Sequence, residues 1–445
     1  MNERGMVAAA IVAGVASLAV AHGLGYDAWS WMVWAREFLH GSLSTDGGPS
    51  LKPLPVLLVA PLTPLGDAAP LAWLALQRVS ALLALLLAWR IGARLAGPVA
   101  GWTAALVLAV SPDLGVTALY GSSEPLLALL VLGAVERHLN DRDRHAFVLL
   151  GLAGLIRPEL WLIVALLAIA WWWFARRLDL VVMASVLLPP AIWLGMTWLG
   201  SGSPFTQFRG VPGGYYDGGL AALGGATTAI ALPALAIAAI AAVNAARRRQ
   251  REVMLVAAVG VGWVLIVAAM TQVGYPGTRR YFAAPAGLFA LLAGVGFAGL
   301  VGAMSRPRAR AAAAIALALL VGISAFPVVL KTGRTVSVAR AQDADLAQLN
   351  DAIAFAGGRD AVLAFGRPAV NPWRQSALAW RLDTPLAGVQ GTWHSTDRSP
   401  HWHPPAIVFS GPRRRVGPTP ARPHRWRMRV IGHVGAWEIV RAPQR

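Results

Sequence analysis

The chain has 445 residues, of which 56% are hydrophobic and only 13% are charged, and it contains no cysteine. A soluble protein of this length needs more charge to cover its surface, so the composition predicts a surface that faces lipid. The lack of cysteine excludes disulfides and thiolate metal sites. The formal net charge is +18, but the basic residues lie in short loops between apolar runs and toward the C-terminus. That distribution favours contact with anionic lipid over contact with nucleic acid.

Eleven apolar runs follow one another along the first three quarters of the sequence. The first has no convincing cleavage site after it, so we interpret it as a retained span and not as a signal peptide. Several runs are shorter than the roughly 20 residues that a perpendicular helix needs, so those near Pro112 and Pro158 are expected to be bent, tilted or re-entrant. The runs cover residues 6–20, 68–89, 98–112, 121–135, 146–156, 159–175, 180–199, 219–243, 253–272, 281–303 and 311–330.

Arginine clusters between these runs predict the orientation. If the N-terminus is cytoplasmic, every dense cluster lies on the cytoplasmic side, as the positive-inside rule requires. The clusters are Arg90 and Arg94, then Arg137, Arg142 and Arg144, then Arg176 and Arg177, then residues 247–251 and 306–310. We therefore predict an α-helical, multi-pass protein of the plasma membrane, with about 11 transmembrane helices in residues 1–330. Residues 331–445 then form a small extracytoplasmic α/β domain.

The periodicity changes after Leu330. Residues 338–356 predict an amphipathic helix, and residues 361–365 and 406–409 predict short buried strands. Residues 426–440 predict two strands around a turn at residues 432–435. Three histidines, His394, His401 and His403, lie in a Pro-rich loop of this region without a spaced carboxylate, so we expect them to face solvent and not to bind a metal.

The first outer loop, residues 22–53, has the most informative pattern. Its residues 26–41 predict an amphipathic helix in the membrane interface, with tryptophan rings at headgroup depth. Asp27 stands at the start of this helix, where exposed amides favour a carboxylate, and it is either an N-cap or a reactive acid. Lys52 precedes Pro53 at the end of the loop, and it either holds a phosphate or extends from a span end to water.

Further charged residues fall on the same outer side in this topology. Arg157 and Glu159 either satisfy each other in a helix break or form an anion site, and Asp113 is either a second acid or a polar helix end. Isolated ionisable groups beside a bilayer are costly unless they are solvated or paired, so they are candidates for a functional site. The motifs that contain them are Ser123-Glu124-Pro125, Arg157-Pro158-Glu159 and Thr278-Arg279-Arg280-Tyr281.

In their order and common side, these motifs resemble those of the GT-C superfamily of membrane glycosyltransferases, which use polyprenyl-phosphate-linked sugars. This superfamily includes enzymes of the dolichyl-phosphate-mannose mannosyltransferase and aminoarabinose transferase types. The resemblance covers the whole membrane part and extends in outline to the C-terminal domain. Its motifs are Tyr26-Asp27-Ala28-Trp29, Lys52-Pro53, Ser123-Glu124-Pro125, Leu155-Ile156-Arg157-Pro158-Glu159 and Arg280-Tyr281. One departure is Ala28, since many relatives have a second acid near the first; it leaves a divalent metal requirement open.

The resemblance implies an inverting hexosyl- or pentosyltransferase that acts on the outer face of the membrane. Asp27 would be the general base for a hydroxyl of an envelope glycan, lipid or protein acceptor. The departing lipid phosphate would be bound by cations, and other side chains would contact the substrates. The implied phosphate ligands are Lys52, Arg157, Arg279 and Arg280, and the implied substrate contacts are Tyr26, Trp29, Glu124, Glu159 and Tyr281.

Two other classes of function stay open at this point. One is a transporter or flippase of a lipid-linked saccharide, and the other is a non-catalytic scaffold with the same fold. Transporters often have internal repeats with charges in the middle of the bilayer. This sequence shows no clear internal repeat, and its charges gather at one membrane face, which favours the enzyme. It also lacks a Gly-rich phosphate loop after a strand, as expected if no nucleotide is bound.

Overall fold

The chain is mainly helical in a computed structural model, which describes residues 3–206, 218–229, 232–275, 278–391, 405–411 and 428–443. The helices are α1 (Glu3–Ala16), α2 (Tyr26–Leu39), α3 (Pro53–Val59), α4 (Ala69–Ala96), α5 (Pro98–Ala109), α6 (Leu114–Leu119), α7 (Glu124–Leu139), α8 (Asp143–Gly154), α9 (Glu159–Ala175), α10 (Leu180–Ser201), α11 (Gly219–Ala229), α12 (Leu232–Arg248), α13 (Arg251–Gln272), α14 (Ala283–Gly302), α15 (Pro307–Phe355), α16 (Gly358–Phe365) and α17 (Gln375–Arg381). The strands are β1 (Ala369–Val370), β2 (Gln390–Gly391), β3 (Ala406–Ser410), β4 (Arg429–Val434) and β5 (Trp437–Ala442).

Long apolar helices make this a membrane protein. Within the described residues, five helical segments are long and apolar enough to cross a bilayer, or six if the bent pair of α11 and α12 is counted as one span. Many large apolar side chains on them are exposed, among them Phe174, Leu180 and Leu220, as expected for a surface in contact with lipid. The predicted number of about 11 spans is not confirmed. Two of the predicted spans, α5 and α9, are apolar but only 12 and 17 residues long.

The centre of the helical bundle is α14, which packs against α5, α12, α4 and α7. Small residues let these helices approach closely: a Cβ added to Gly294 would collide with the backbone carbonyl of Ala100 on α5. Close backbone approach of this kind is the usual basis of helix association in lipid, where the hydrophobic effect between helices is weak. The start of α14 is thereby fixed relative to the start of α7.

The last long helix, α15, runs without interruption from Pro307 to Phe355 through the predicted domain boundary at residue 330. Its 49 residues span about 74 Å at 1.5 Å per residue, more than twice the hydrocarbon thickness of a bilayer. The predicted amphipathic helix over residues 338–356 is therefore the second half of this helix. The helix carries the chain from the membrane into the C-terminal domain.

The C-terminal domain is built on a five-stranded mixed sheet with the order β2-β1-β3-β5-β4. β1 is parallel to β2 and β3, whereas β5 is antiparallel to β3 and β4. The strand predicted over residues 406–409 and the hairpin with its turn near Gly435 are confirmed. The strand predicted over residues 361–365 is wrong, because these residues belong to α16. A short apolar run fits either a buried strand or one face of a short helix.

The helix of the first outer loop, α2, is buried inside the protein. Trp31, Met32, Val33 and Trp34 are fully buried, because α17 of the C-terminal domain packs against α2, and α3 packs against it as well. The predicted helix is confirmed, and its tryptophan rings are covered by protein. The tryptophan rings join two parts of the protein.

Candidate active site

The starts of several helices meet at one end of the bundle and bring the predicted charged residues together. Asp27 lies in the first turn of α2 and Lys52 directly precedes α3. Glu124 is the first residue of α7, and Arg280 lies in the 3-10 turn Arg279–Phe282 that leads into α14. Arg157 occupies the break before α9. Since exposed amides at helix starts carry partial positive charge, this end of the bundle favours anions.

Asp27 and Arg280 form the outermost ion pair of the site. Arg280 Nη2 donates a hydrogen bond of 2.8 Å to Asp27 Oδ2. The two side chains are 18% and 37% exposed, so both can be reached from outside. Burial alone would raise the pKa of Asp27, but the positive charges of Arg280 and Lys52 outweigh this effect and hold that pKa below its usual value. Asp27 is therefore ionised at neutral pH and can accept a proton.

Behind this pair, Glu124 is surrounded by cations. Arg157 Nη2 donates to Glu124 Oε1 at 2.7 Å, and Lys52 Nζ and Arg280 Nε lie 3.7 and 3.8 Å from the same oxygen. Lys52 also donates to Ser123 Oγ at 3.1 Å and lies over the Trp31 ring. Three cations therefore share two carboxylates, and the five ionised groups carry a surplus of positive charge. We call Asp27, Lys52, Glu124, Arg157 and Arg280 the inner cluster.

Two further predicted residues adjoin the inner cluster. The Arg157 guanidinium stacks over the Tyr281 ring at 4.1 Å, and Tyr281 in turn packs on Tyr275. Glu159 is only 1% exposed, and within the described residues neither of its carboxylate oxygens has a hydrogen-bond partner. The adjacent Arg157 therefore does not satisfy Glu159 in the way that a mutual structural pair requires.

A cavity of about 410 Å³ leads from the C-terminal domain to Asp27 and Arg280. The membrane part contributes Tyr26, Tyr120 and Ser122 to its wall, and α15 contributes Val338 and Gln342. Trp373 and Arg374 of the C-terminal domain complete it. Lys52, Glu124 and Arg157 lie behind the wall of this cavity and are buried. A substrate that enters the cavity therefore meets Asp27 and Arg280 first.

Two predicted residues lie elsewhere. Arg279 turns away from the inner cluster and forms a two-pronged pair with Asp113, with Nε–Oδ2 and Nη2–Oδ1 distances of 2.9 and 2.6 Å. Lys331 lies 3.4 Å from the same carboxylate. Trp29 is buried between α2 and α17 under the guanidinium of Arg381. The roles predicted for Arg279 and Trp29 stay predictions, and neither residue lines the cavity.

Sequence reasoning did not identify the residues of the C-terminal domain that line the cavity. Trp373 is 46% exposed and meets the Tyr26 ring edge-on at 6.2 Å. Tyr26 donates a hydrogen bond of 3.3 Å to Gln375, and Ser30 and Ser376 are hydrogen-bonded at 2.7 Å. These contacts join α2 to residues almost 350 positions away. The only signal in the sequence was an aromatic residue beside an arginine in the turn Asn371-Pro372-Trp373-Arg374.

Comparisons with known proteins bear on the fold in which these residues lie. No family model matches the sequence, and no curated protein matches it significantly. ArnT from Cupriavidus metallidurans in the apo state matches with 16% sequence identity and a TM-score of 0.62, over 98% of this chain and 96% of ArnT. ArnT bound to undecaprenyl phosphate matches with 14% identity and a TM-score of 0.58, over 98% of this chain and 97% of ArnT. The chain has the GT-C fold.

The resemblance derived from the motifs is thereby confirmed at the level of the fold. Within the described part of this GT-C chain, no group of three His, Asp or Glu side chains is placed to hold a metal ion. His394, His401 and His403, together with the basic run Arg413-Arg414-Arg415, lie outside the described residues.

Proposed function

We propose that the protein is a membrane glycosyltransferase that moves a sugar from a polyprenyl phosphate to a hydroxyl of a cell-envelope acceptor. The observation that carries the proposal is the inner cluster, in which an ionised, accessible carboxylate faces an arginine at the inner end of a cavity. ArnT, which shares the fold, has been solved with undecaprenyl phosphate. A lipid carrier of this class fits a site that lies at the ends of membrane helices.

The donor phosphate is proposed to bind at Arg280. A sugar linked to a lipid through a phosphodiester carries one negative charge, and charge grows on the phosphate as the sugar leaves. Arg280 can contact this phosphate from the cavity wall, while Lys52 and Arg157 act on it from behind Glu124. Buried cations have a strong effect there because little water screens them. The starts of α7 and α9 add to the same positive potential.

Asp27 is proposed to act as the general base. It would accept the proton of the acceptor hydroxyl while that oxygen attacks the anomeric carbon from the side opposite to the phosphate. Such an attack inverts the configuration at the anomeric carbon. The Arg280 guanidinium keeps Asp27 ionised before the donor binds. With the donor bound, Asp27 and the phosphate would lie on opposite sides of the anomeric carbon. An outer-leaflet location of this site in the plasma membrane belongs to the same proposal.

The acceptor is proposed to enter through the cavity and to contact Trp373. A half-exposed indole beside a carboxylate offers an apolar face to a sugar ring, and Tyr26 fixes the orientation of that indole. A glycan acceptor, or the sugar part of a glycolipid, fits this surface better than an extended lipid chain. The large apolar cavity that a lipid chain would need lies at the opposite end of the bundle.

The transporter alternative has less support. Transport sites usually lie near the middle of the bilayer between matching broken helices, whereas the inner cluster lies at helix starts beside the C-terminal domain. In addition, four of the eleven residues that line the cavity come from that domain and from α15.

Purified protein in vesicles, supplied with radiolabelled polyprenyl-phosphate sugars and an envelope extract, tests the proposal. We expect label in a product that no longer partitions with the carrier lipid, and we expect the Asp27→Asn variant to form none. Movement of the labelled donor across the vesicle without any product would contradict the proposal and would support a flippase.

A further inference from the structure

A second large cavity lies at the opposite end of the bundle from the inner cluster. It has a volume of about 440 Å³ and lies between α7, α8, α9, α13 and α14. Its inner part is apolar, with Val131, Leu167 and Leu288 in the wall. Its outer part reaches His138, Asp143, Arg251 and Glu252. The cavity is thus apolar within the membrane and charged at its mouth.

The orientation of α7 places this mouth at the other membrane face. α7 starts at Glu124 in the inner cluster and ends at Leu139 beside the mouth. Its 16 residues measure about 24 Å along the helix axis, close to the thickness of the hydrocarbon layer. The cavity is therefore separate from the candidate active site.

An apolar space of this volume within a bilayer is not expected to stay empty. Protein interiors are close-packed, and an unfilled cavity destabilises in proportion to its volume. Water is a poor occupant, because a buried water molecule needs two to four polar partners and the inner wall offers hydrocarbon. A flexible hydrocarbon chain fills such a space without leaving polar groups unsatisfied. Ala134, Ala146 and Ala170 in the wall keep room for it.

The positive charge near the mouth comes mainly from the helix ends beside it. The mouth itself is lined by Arg251, Asp143 and Glu252, and Asp143 is paired with His138 at 2.7 Å. Arg142, Arg247 and Arg248 lie at the adjoining helix ends and are exposed. Basic residues outnumber acidic ones there, so a phosphate at headgroup depth is attracted.

We propose that this cavity binds one membrane phospholipid with an anionic headgroup, whose acyl chain enters between α7, α9 and α13. Its phosphate lies at the mouth beside Arg251. The bound chain fills the space between these helices, and it thereby stabilises the end of the bundle that holds the second half of α9.

Native mass spectrometry of the delipidated full-length protein, titrated with phosphatidylglycerol or phosphatidylcholine, tests the proposal. We expect one phosphatidylglycerol per chain at the lowest concentrations and weaker binding of phosphatidylcholine. Arg251→Gln should weaken phosphatidylglycerol binding about fivefold, the effect of one arginine near an anionic surface, and should leave phosphatidylcholine binding unchanged. Arg308→Gln, an exposed arginine at the same membrane face that does not line the cavity, is the matched control.

A second pair of variants tests the acyl-chain part. Ala170→Trp places an indole in the cavity and should abolish the single tight lipid, whereas Val261→Trp, on an exposed position of α13 outside the cavity wall, should not. Equal lipid retention by these two variants, or equal binding of the two phospholipids to the wild type, would overturn the proposal. Displacement of the bound lipid by polyprenyl phosphate alone would also overturn it, because the site would then belong to the donor.

Discussion

Two neighbouring arginines, Arg279 and Arg280, enter two ionic clusters of different character. Arg280 belongs to the inner cluster, where three cations surround two carboxylates and Glu124 is completely buried. Arg279 joins Asp113 and Lys331 in what we call the outer cluster, where the two cations are 35% and 40% exposed. Arg279 and Arg280 are exposed to a similar extent, 35% and 37%. The clusters differ because the outer cluster does not line the cavity and, within the described residues, has no buried cations such as Lys52 and Arg157 beside it.

This difference between the two clusters indicates which charged residues can take part in catalysis. In the inner cluster, adding or removing a charge changes the electrostatic energy strongly, because the buried surroundings have low polarisability. The carboxylate of the outer cluster ties α15 to the break before α6 through Lys331, which also donates to the Pro112 carbonyl. The inner cluster is expected to serve catalysis, and the outer cluster is expected to serve stability.

The two aspartates give the largest expected contrast. Asp27→Asn should lower the rate of sugar transfer about 10²- to 10⁴-fold, because an amide cannot accept the acceptor proton. Asp113→Asn is the matched control and should change the rate less than about threefold, since Asp113 does not line the cavity and is not placed to take the acceptor proton. Transfer rates with labelled donor, measured on both variants after size-exclusion chromatography, make the comparison. Equal losses for the two variants would remove Asp27 as the base.

The two arginines give the next contrast. Arg280→Gln should lower kcat/KM for the donor about 10²-fold, since it removes the cation that faces the developing phosphate charge. Arg279→Gln should retain most of the activity and should mainly lower the unfolding temperature by a few degrees. Donor titrations and thermal unfolding of both variants separate the two roles. A larger kinetic loss in Arg279→Gln than in Arg280→Gln would place the donor phosphate at the outer cluster instead.

Trp373 tests whether the cavity beside the inner cluster receives the acceptor. Trp373→Ala should raise KM for a glycan acceptor about threefold to tenfold and leave donor binding unchanged, since one aromatic stacking contact is lost. Trp102→Ala removes a more exposed tryptophan that faces lipid on α5, and it should leave both values unchanged. Steady-state kinetics with acceptor and donor varied in turn provide the test, and a change in donor KM alone would contradict the proposed contact.

The smallest expected effect concerns Glu37, a buried carboxylate that belongs to neither cluster. Burial raises the pKa of Glu37 to about 7, although the Ser44 backbone N–H donates to it. The folded protein therefore holds a proton that the unfolded chain releases near pH 4.5. The stabilisation that protonated Glu37 contributes is complete below pH 4.5 and is lost as the pH rises toward 7. Glu37→Gln should make the unfolding temperature less dependent on pH over this range. An unchanged pH dependence would exclude Glu37 as its source.

The sequence predicted the participants of the inner cluster well. Asp27, Lys52, Glu124, Arg157 and Arg280 each stand at a helix start, and helix starts are readable from prolines and from the beginnings of apolar runs. The predicted topology also places these helix starts on one side of the membrane. Nothing local distinguished Arg279 from Arg280, because the distinction depends on which way the short 3-10 turn before α14 directs each side chain.

Two parts of the fold were beyond sequence reasoning for a different reason. The burial of α2 depends on α17, whose contribution is visible only once distant residues such as Ser30 and Ser376 are known to meet. The predicted number of spans is not confirmed, because apolar runs such as that of α5 form short helices packed in the bundle. Hydropathy measures how apolar a segment is, and it does not distinguish lipid from protein as the neighbour.

The unbroken course of α15 has a mechanical consequence. A continuous helix bends most easily where a backbone hydrogen bond is missing, and α15 has one internal proline, Pro327, between its membrane half and its outer half. A tilt of the span is expected to reach the C-terminal domain as a rotation about the membrane surface, reduced by any bend at Pro327. Val338 and Gln342 on the outer half form one wall of the entrance to Asp27. The width of that entrance therefore depends on bilayer thickness, since thickness sets the tilt of a long span.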